Sequence, residues 1–178
     1  MSIFSRLCLG TANFGKEYNG VKVSEDEQKR ILDYCQCSGI DMIDTAIAYE
    51  WDYSKVSSYF NIVSKGNPEH LKNRKESRLY AYLTHGDGFI WQPFYDRTSY
   101  KMDKVGLSIY EPKEIPHFGT FGVSFADIIQ VPYSIFDRRF EPYFTELKSR
   151  GIEIHVRSIF LRGKILERFK PWECIAFC

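Results

Sequence analysis

Ionisable side chains stand where strand-like runs of this sequence end. Asp44 closes IDMID, Lys65 closes FNIVSK and His85 closes LYAYLTH, while Tyr49 follows shortly after Asp44. A carboxylate, an ammonium, an imidazole and a phenol can each hold, give or take a proton. Taken singly, each has a plain explanation. An Asp after a strand caps a helix or shapes a turn; a Lys there is solvated, a His is a satisfied structural residue, and a Tyr packs. The joint pattern is harder to explain that way, because all four groups fall at matching ends of consecutive strands. In a parallel barrel the C-terminal strand ends share one face, and active sites are built there.

The elements that must position these groups repeat one theme, a short β-rich run followed by a helix-compatible or loop stretch. Strands are expected at Arg6–Gly10, Ile40–Asp44, Phe60–Lys65, Leu79–His85, Lys104–Tyr110, Ile128–Tyr133 and Glu153–Phe160. Ser24 with Glu27 three residues on reads as a capping box; Ile31, Leu32 and Cys35 share a face of the helix it opens, and Gly39 stops it. A second helical face is made by Tyr143, Phe144 and Leu147, with Gly151 closing that helix. Pro112, Pro116, Gly119 and Gly122 leave little room for a helix between Glu111 and Asp127. Several runs are apolar almost throughout, as strands covered on both faces of a parallel sheet are. No linker or low-complexity segment divides the chain, so residues 1–178 read as one domain, either an open doubly wound sheet or a barrel.

Composition narrows the function classes. With 24 basic and 23 acidic residues the net charge is +1, which provides no field for nucleic acid or an anionic membrane. The basic stretch Lys72 to Arg78 is interrupted by Glu76 and reads as a solvated helix face. The N-terminal segment lacks a signal-peptide pattern, and no apolar run reaches the roughly 18 residues of a membrane span. Five cysteines without framework spacing read as reduced thiols, so a cytoplasmic location is expected. Cys35 and Cys37 lie two apart on a helix, and Cys174 and Cys178 have no further ligand beside them; no metal site is expected. The 16% aromatic content favours a well-filled core or an aromatic-lined pocket. Trp51 and Trp91, each after a candidate catalytic strand, are equally readable as pocket wall or as packing.

In this order, LCLGTANFG (7–15), DTAIAY (44–49), NIVSK (61–65), LTH (83–85), VGLSIYEP (105–112), IIQVPYSIFDRR (128–139) and VRSIFLRG (156–163) resemble the aldo-keto reductase family. The resemblance runs from about Arg6 to Gly163. It implies a parallel (β/α)8-type TIM barrel, incomplete here, with seven strands recognisable and the eighth missing. It also implies reduction of an aldehyde or ketone, sugar-like carbonyls included, by hydride from NADP(H), with NAD(H) an open alternative. Tyr49 would be the general acid, Lys65 would ease release of its proton, Asp44 would hold Lys65, and His85 would bind the substrate oxygen. Ser108 and Gln130 match the positions that hold the nicotinamide carboxamide, Gly10 and Thr11 the loop beneath the cofactor, and Arg157 and Ser158 a cofactor-facing strand end. The implied partner is a small carbonyl substrate, with neither nucleic acid nor membrane.

The sequence departs from the family at two cofactor positions. Arg157 replaces a stacking Tyr, and a guanidinium can also stack or bind pyrophosphate; Ile109 replaces an amide residue. Asp137-Arg138-Arg139 reads as a structural ion-pair group before a phosphate site. Nothing in Lys164 to Cys178 matches the eighth strand or the basic residues that hold a 2′-phosphate in the family. Three origins are open: a natural truncation, a degenerate homologue, or further residues outside this sequence. The short crossovers after Tyr49, Lys65 and His85 favour the last, which an intact mass above 20.9 kDa would support. A non-catalytic scaffold or binding protein of the same fold, without cofactor binding, is the alternative to a carbonyl reductase.

Overall fold

The first long helix shows how local chemistry sets an element. In the computed structural model, which describes residues 3–17, 20–67, 78–85, 100–117 and 126–161, helix α1 spans Glu25–Ser38. Ser24 is its N-cap, and the Ser24 side chain accepts from the Glu27 backbone N–H, an interaction that contributes about 1 kcal/mol. The expected return arm of the capping box gives way to an ion pair, since the Glu27 carboxylate binds Arg30 at 2.9 Å. Gly39 ends the helix with φ 78°, a left-handed conformation that costs glycine little. Cys35 faces inward and is buried, whereas Cys37 is exposed.

Seven strands follow: β1 (Cys8–Gly10), β2 (Met42–Asp44), β3 (Asn61–Lys65), β4 (Leu79–His85), β5 (Met102–Ser108), β6 (Ile128–Pro132) and β7 (Glu153–Arg157). Their order in the sheet is the order of the chain, and the registered pairs are parallel. Among the described residues this is the strand arrangement of an incomplete (β/α)8 barrel. Asp44 pairs with Val63 and Lys65 with Leu83, so Asp44 and Lys65, two positions apart in register, share a face.

The chain forms two compact units. The first holds β1 to β3, β4 as far as Thr84, and the start of β5 as far as Lys104; its core is Ile43, Ile62, Val63, Leu79, Tyr82 and Leu83. The second includes His85 and continues from Val105; its core is Leu107, Ile109, Ile128, Ile129, Val131, Phe140 and Leu147. Strands β3, β4 and β6 are buried nearly throughout, as both-face coverage requires.

Several element bounds differ from the sequence expectation for identifiable reasons. Arg6 ends a 3-10 turn over Ile3–Arg6 in place of opening β1. Strand β5 begins at Met102 because Leu79 N–H donates to Lys101 O at 2.9 Å and opens the ladder there; Arg78, just before β4, also pairs with Asp103 at 2.7 and 2.9 Å. Strand β7 ends at Arg157 because Ser158 turns left-handed with φ 64°. A one-turn helix α2 (Glu114–His117) forms despite Pro116, which is tolerated because the N–H groups of a first turn have no helical partner. The second helical face appears as α3 (Phe144–Ser149), with Gly151 closing it at φ 75°. Among these residues no helix is long and apolar enough to cross a membrane. Trp91, Lys72 to Ser77, and residues 162–178 with Cys174 and Cys178 lie outside the described residues.

Candidate active site

The sheet brings Asp44 and Lys65 together in the first unit. Asp44 ends β2, Lys65 ends β3, and Nζ of Lys65 lies 2.6 and 2.5 Å from the two Asp44 carboxylate oxygens. Their side chains are 19% and 5% exposed, so the ammonium is held almost dry. A charge in that setting is tolerated only with an opposite charge in direct contact.

Tyr49 is delivered by the short segment that follows β2. Thr45 N–H donates to Val63 O at 2.9 Å, and a 3-10 turn over Ile47–Tyr49 ends in Glu50, left-handed at φ 56°. That turn brings the half-buried Tyr49 ring centroid to 6.0 Å from Nζ of Lys65. Carboxylate, ammonium and phenol thus form one cluster. Cys8, across from Met42 in register, is exposed at its strand edge yet ringed by protein atoms; desolvation and then the Asp44 carboxylate push its thiol pKa up. Thr11 is fully buried, and both its N–H and its hydroxyl donate to Asp44 O at 3.1 Å. Its visible work is to hold the end of β2. Gly10 lies beside Asp44 in register with open space where a side chain would be.

His85 belongs to the second unit, where its ring stacks near that of Tyr110, with centroids 6.1 Å apart. The Arg157 guanidinium lies 4.4 Å from the Tyr110 ring centre, and its Nη2 donates to Ile109 O at 3.3 Å. Among the described residues, Nε of Arg157 is buried with no hydrogen-bond partner, which costs about 1–3 kcal/mol unless an acceptor arrives. Ser108 and Gln130, in register on β5 and β6 and both buried, are joined by a 3.3 Å hydrogen bond from the Ser hydroxyl to the amide oxygen. Ser158 is exposed just beyond β7.

Three features escaped the sequence reading. Tyr110 joins His85 and Arg157, although only its place at a strand end marked it. Glu153 and His155 on β7 form a 2.8 Å pair, and His155 is in register with Gln130; their alternate spacing within a strand was the available signal. Gly15 abuts the backbone of Tyr49 to Trp51, and no sequence signal identifies that approach.

Other groups have structural partners. Trp51 packs edge-on against Phe14 at 5.1 Å, which favours packing over a pocket wall. Arg139 binds Asp137 at 2.9 Å and Glu111 at 2.8 Å, and Arg138 binds Glu141 at 2.5 Å, so these are ion pairs as expected. The Arg139 hydrogen bond holds the Asp137 carboxyl below the usual carboxylate range, and Arg138 does the same for Glu141. Among the described residues no His, Cys, Asp and Glu cluster could hold a metal.

With this geometry in hand, solved structures identify the fold. An aldo-keto reductase from Bacillus halodurans matches with a TM-score of 0.71 and 20% identity over 93% of this chain and 65% of its own. A glycerol dehydrogenase from Gluconobacter oxydans matches at 0.68 and 17% identity over 93% and 63%. An aldo-keto reductase from Bombyx mori, solved in complex with NADP, matches at 0.64 and 18% identity over 86% and 62%. The chain has the aldo-keto reductase fold and spans somewhat under two thirds of these proteins' length. No protein-family sequence model and no curated protein sequence matches it.

Proposed function

We propose that this chain is an aldo-keto reductase, an oxidoreductase that reduces an aldehyde or ketone to an alcohol with NADP(H), Tyr49 giving the proton. The observation that carries the reading is the Asp44–Lys65 pair, 2.5–2.6 Å apart and nearly dry, with the Tyr49 ring 6.0 Å from the ammonium. An isolated phenol, with a pKa of about 10, releases its proton reluctantly at neutral pH. A fixed positive charge beside it favours the phenolate and so eases proton delivery to the alkoxide. Asp44 keeps the ammonium in place. His85 is assigned to the substrate oxygen by the sequence resemblance alone.

A nicotinamide cofactor supplies the hydride when bound, and the residues present fit it. In the second unit the buried Arg157 Nε–H has no hydrogen-bond partner among the described residues, so a phosphate oxygen would satisfy it. Ser108 and Gln130 form a hydroxyl–amide pair of the kind that reads a carboxamide. Ser158 follows on the same strand end.

The second reading, a binding protein of this fold without catalysis, is favoured by Arg157, whose guanidinium is already engaged by Tyr110 and Ile109. Titration with NADPH, followed by its fluorescence and then by its consumption with a panel of aldehydes, separates the two. Reductase function requires saturable binding and aldehyde-dependent consumption. Absence of binding at millimolar NADPH refutes it.

A further inference from the structure

We propose that the loop leaving β1, Thr11 to Lys16, is a clamp that sets the position of Tyr49 relative to Lys65, with Gly15 its key positioning residue. This rests on the reading of Tyr49 as proton donor. The loop is fixed from two sides. Thr11 donates twice to Asp44 O, at 3.1 Å each, which ties the loop to the end of β2. The side-chain amide of Gln28 on α1 donates to Phe14 O at 2.8 Å and to Val23 O at 2.9 Å, while Phe14 N–H donates to Thr11 O at 3.0 Å.

From that base three consecutive residues grip the segment carrying Tyr49. Phe14 meets Trp51 edge-on at 5.1 Å. Lys16 pairs with Glu50 at 3.3 Å, an exposed contact that adds little by itself. Between them Gly15 lies directly against main chain. A Cβ there would fall 2.0 Å from Tyr49 O, 2.5 Å from Glu50 C and 2.5 Å from Trp51 N. These atoms are backbone, so no rotamer relieves the overlap, and any side chain at position 15 must force the loop and residues 49–51 apart. Glu50 is left-handed within that stretch, a conformation that persists only where the surroundings enforce it. One loop therefore refers both to Asp44, which holds Lys65, and to the peptide carrying the phenol. Moving its tip alters the spacing of phenol and ammonium while leaving the Asp44–Lys65 pair intact.

The test is Gly15→Ala in the full chain carrying 13Cζ-labelled tyrosine, the Tyr49 resonance being assigned by its loss in Tyr49→Phe. The clamp predicts a displaced titration curve for Tyr49. Where the protein reduces aldehydes, it also predicts a kcat lowered about 100-fold, with KM for NADPH changed by no more than about twofold. A folded Gly15→Ala protein whose Tyr49 titrates as in the wild type overturns the proposal. Should Gly15→Ala fail to fold, Phe14→Leu, which adds no atom to the contact, must shift the same resonance; an unshifted curve overturns the proposal equally. Full reductase rate in Tyr49→Phe would instead sink the proton-donor reading, and the resonance shift in the Gly15 variant would still report whether the clamp exists.

Discussion

Replacing Asp44 by Asn leaves the Lys65 ammonium, 5% exposed, without its counter-charge. At 2.6 Å and an effective dielectric of about 20 the lost Coulomb attraction is about 6 kcal/mol. The Asn carbonyl still accepts one hydrogen bond from the charged amine, returning roughly 1.5–3 kcal/mol. The expected loss is about 3–5 kcal/mol, the range found when one partner of a buried pair is removed. For a chain of this size each kcal/mol corresponds to about 2–4 °C, so Tm should fall by roughly 6–20 °C. Urea and thermal unfolding followed by circular dichroism measure this. In the same assay the double variant Asp44→Asn/Lys65→Met should recover most of the loss, because no unpaired charge is left. A single variant within about 1 kcal/mol of wild type would refute the reasoning, since it would mean that the ammonium is hydrated.

Further outcomes follow from the charged and thiol groups. Asp137 has its folded pKa lowered, first by the Arg139 hydrogen bond, so its stabilisation is present above the ordinary Asp pKa of about 3.9. It is lost as pH falls through the lower folded value. Unfolding free energies measured from pH 5 downward should therefore drop less steeply in Asp137→Asn. Burial pushes the Cys35 thiol up, so iodoacetamide should label exposed Cys37 and spare Cys35 until urea unfolds the chain; mass spectrometry of the labelled peptides reads this. Gln130→Ala should weaken NADPH binding in fluorescence titration about tenfold through loss of a buried hydrogen bond, with little change in Tm beyond about 4 °C.

Much of the strand layout was visible in the sequence because buried parallel strands must be apolar along their length. Leu79–His85 was read with its observed bounds, and Asn61–Lys65 within one residue. Strand ends set by single residues were harder to see. Nothing about Ser158 announces a left-handed turn, and nothing in the sequence marks the main-chain bond from Leu79 to Lys101 that opens β5 early. Asp44 and Lys65 were legible as groups at matching strand ends, and it was the family resemblance that implied their partnership. Gly15 was not: its identity shows only that a side chain is absent, while its importance lies in which backbone approaches it. Glu153 and His155 were missed as well: their alternate spacing puts them on one face of β7, but a pairing also depends on the depth at which they sit.

The rate of NADPH oxidation with an aldehyde, compared between wild type and Tyr49→Phe at neutral pH, tests the proton donor most directly. The phenol-donor account predicts that removing one hydroxyl abolishes turnover by at least 100-fold while NADPH still binds. An unchanged rate in the variant would contradict it.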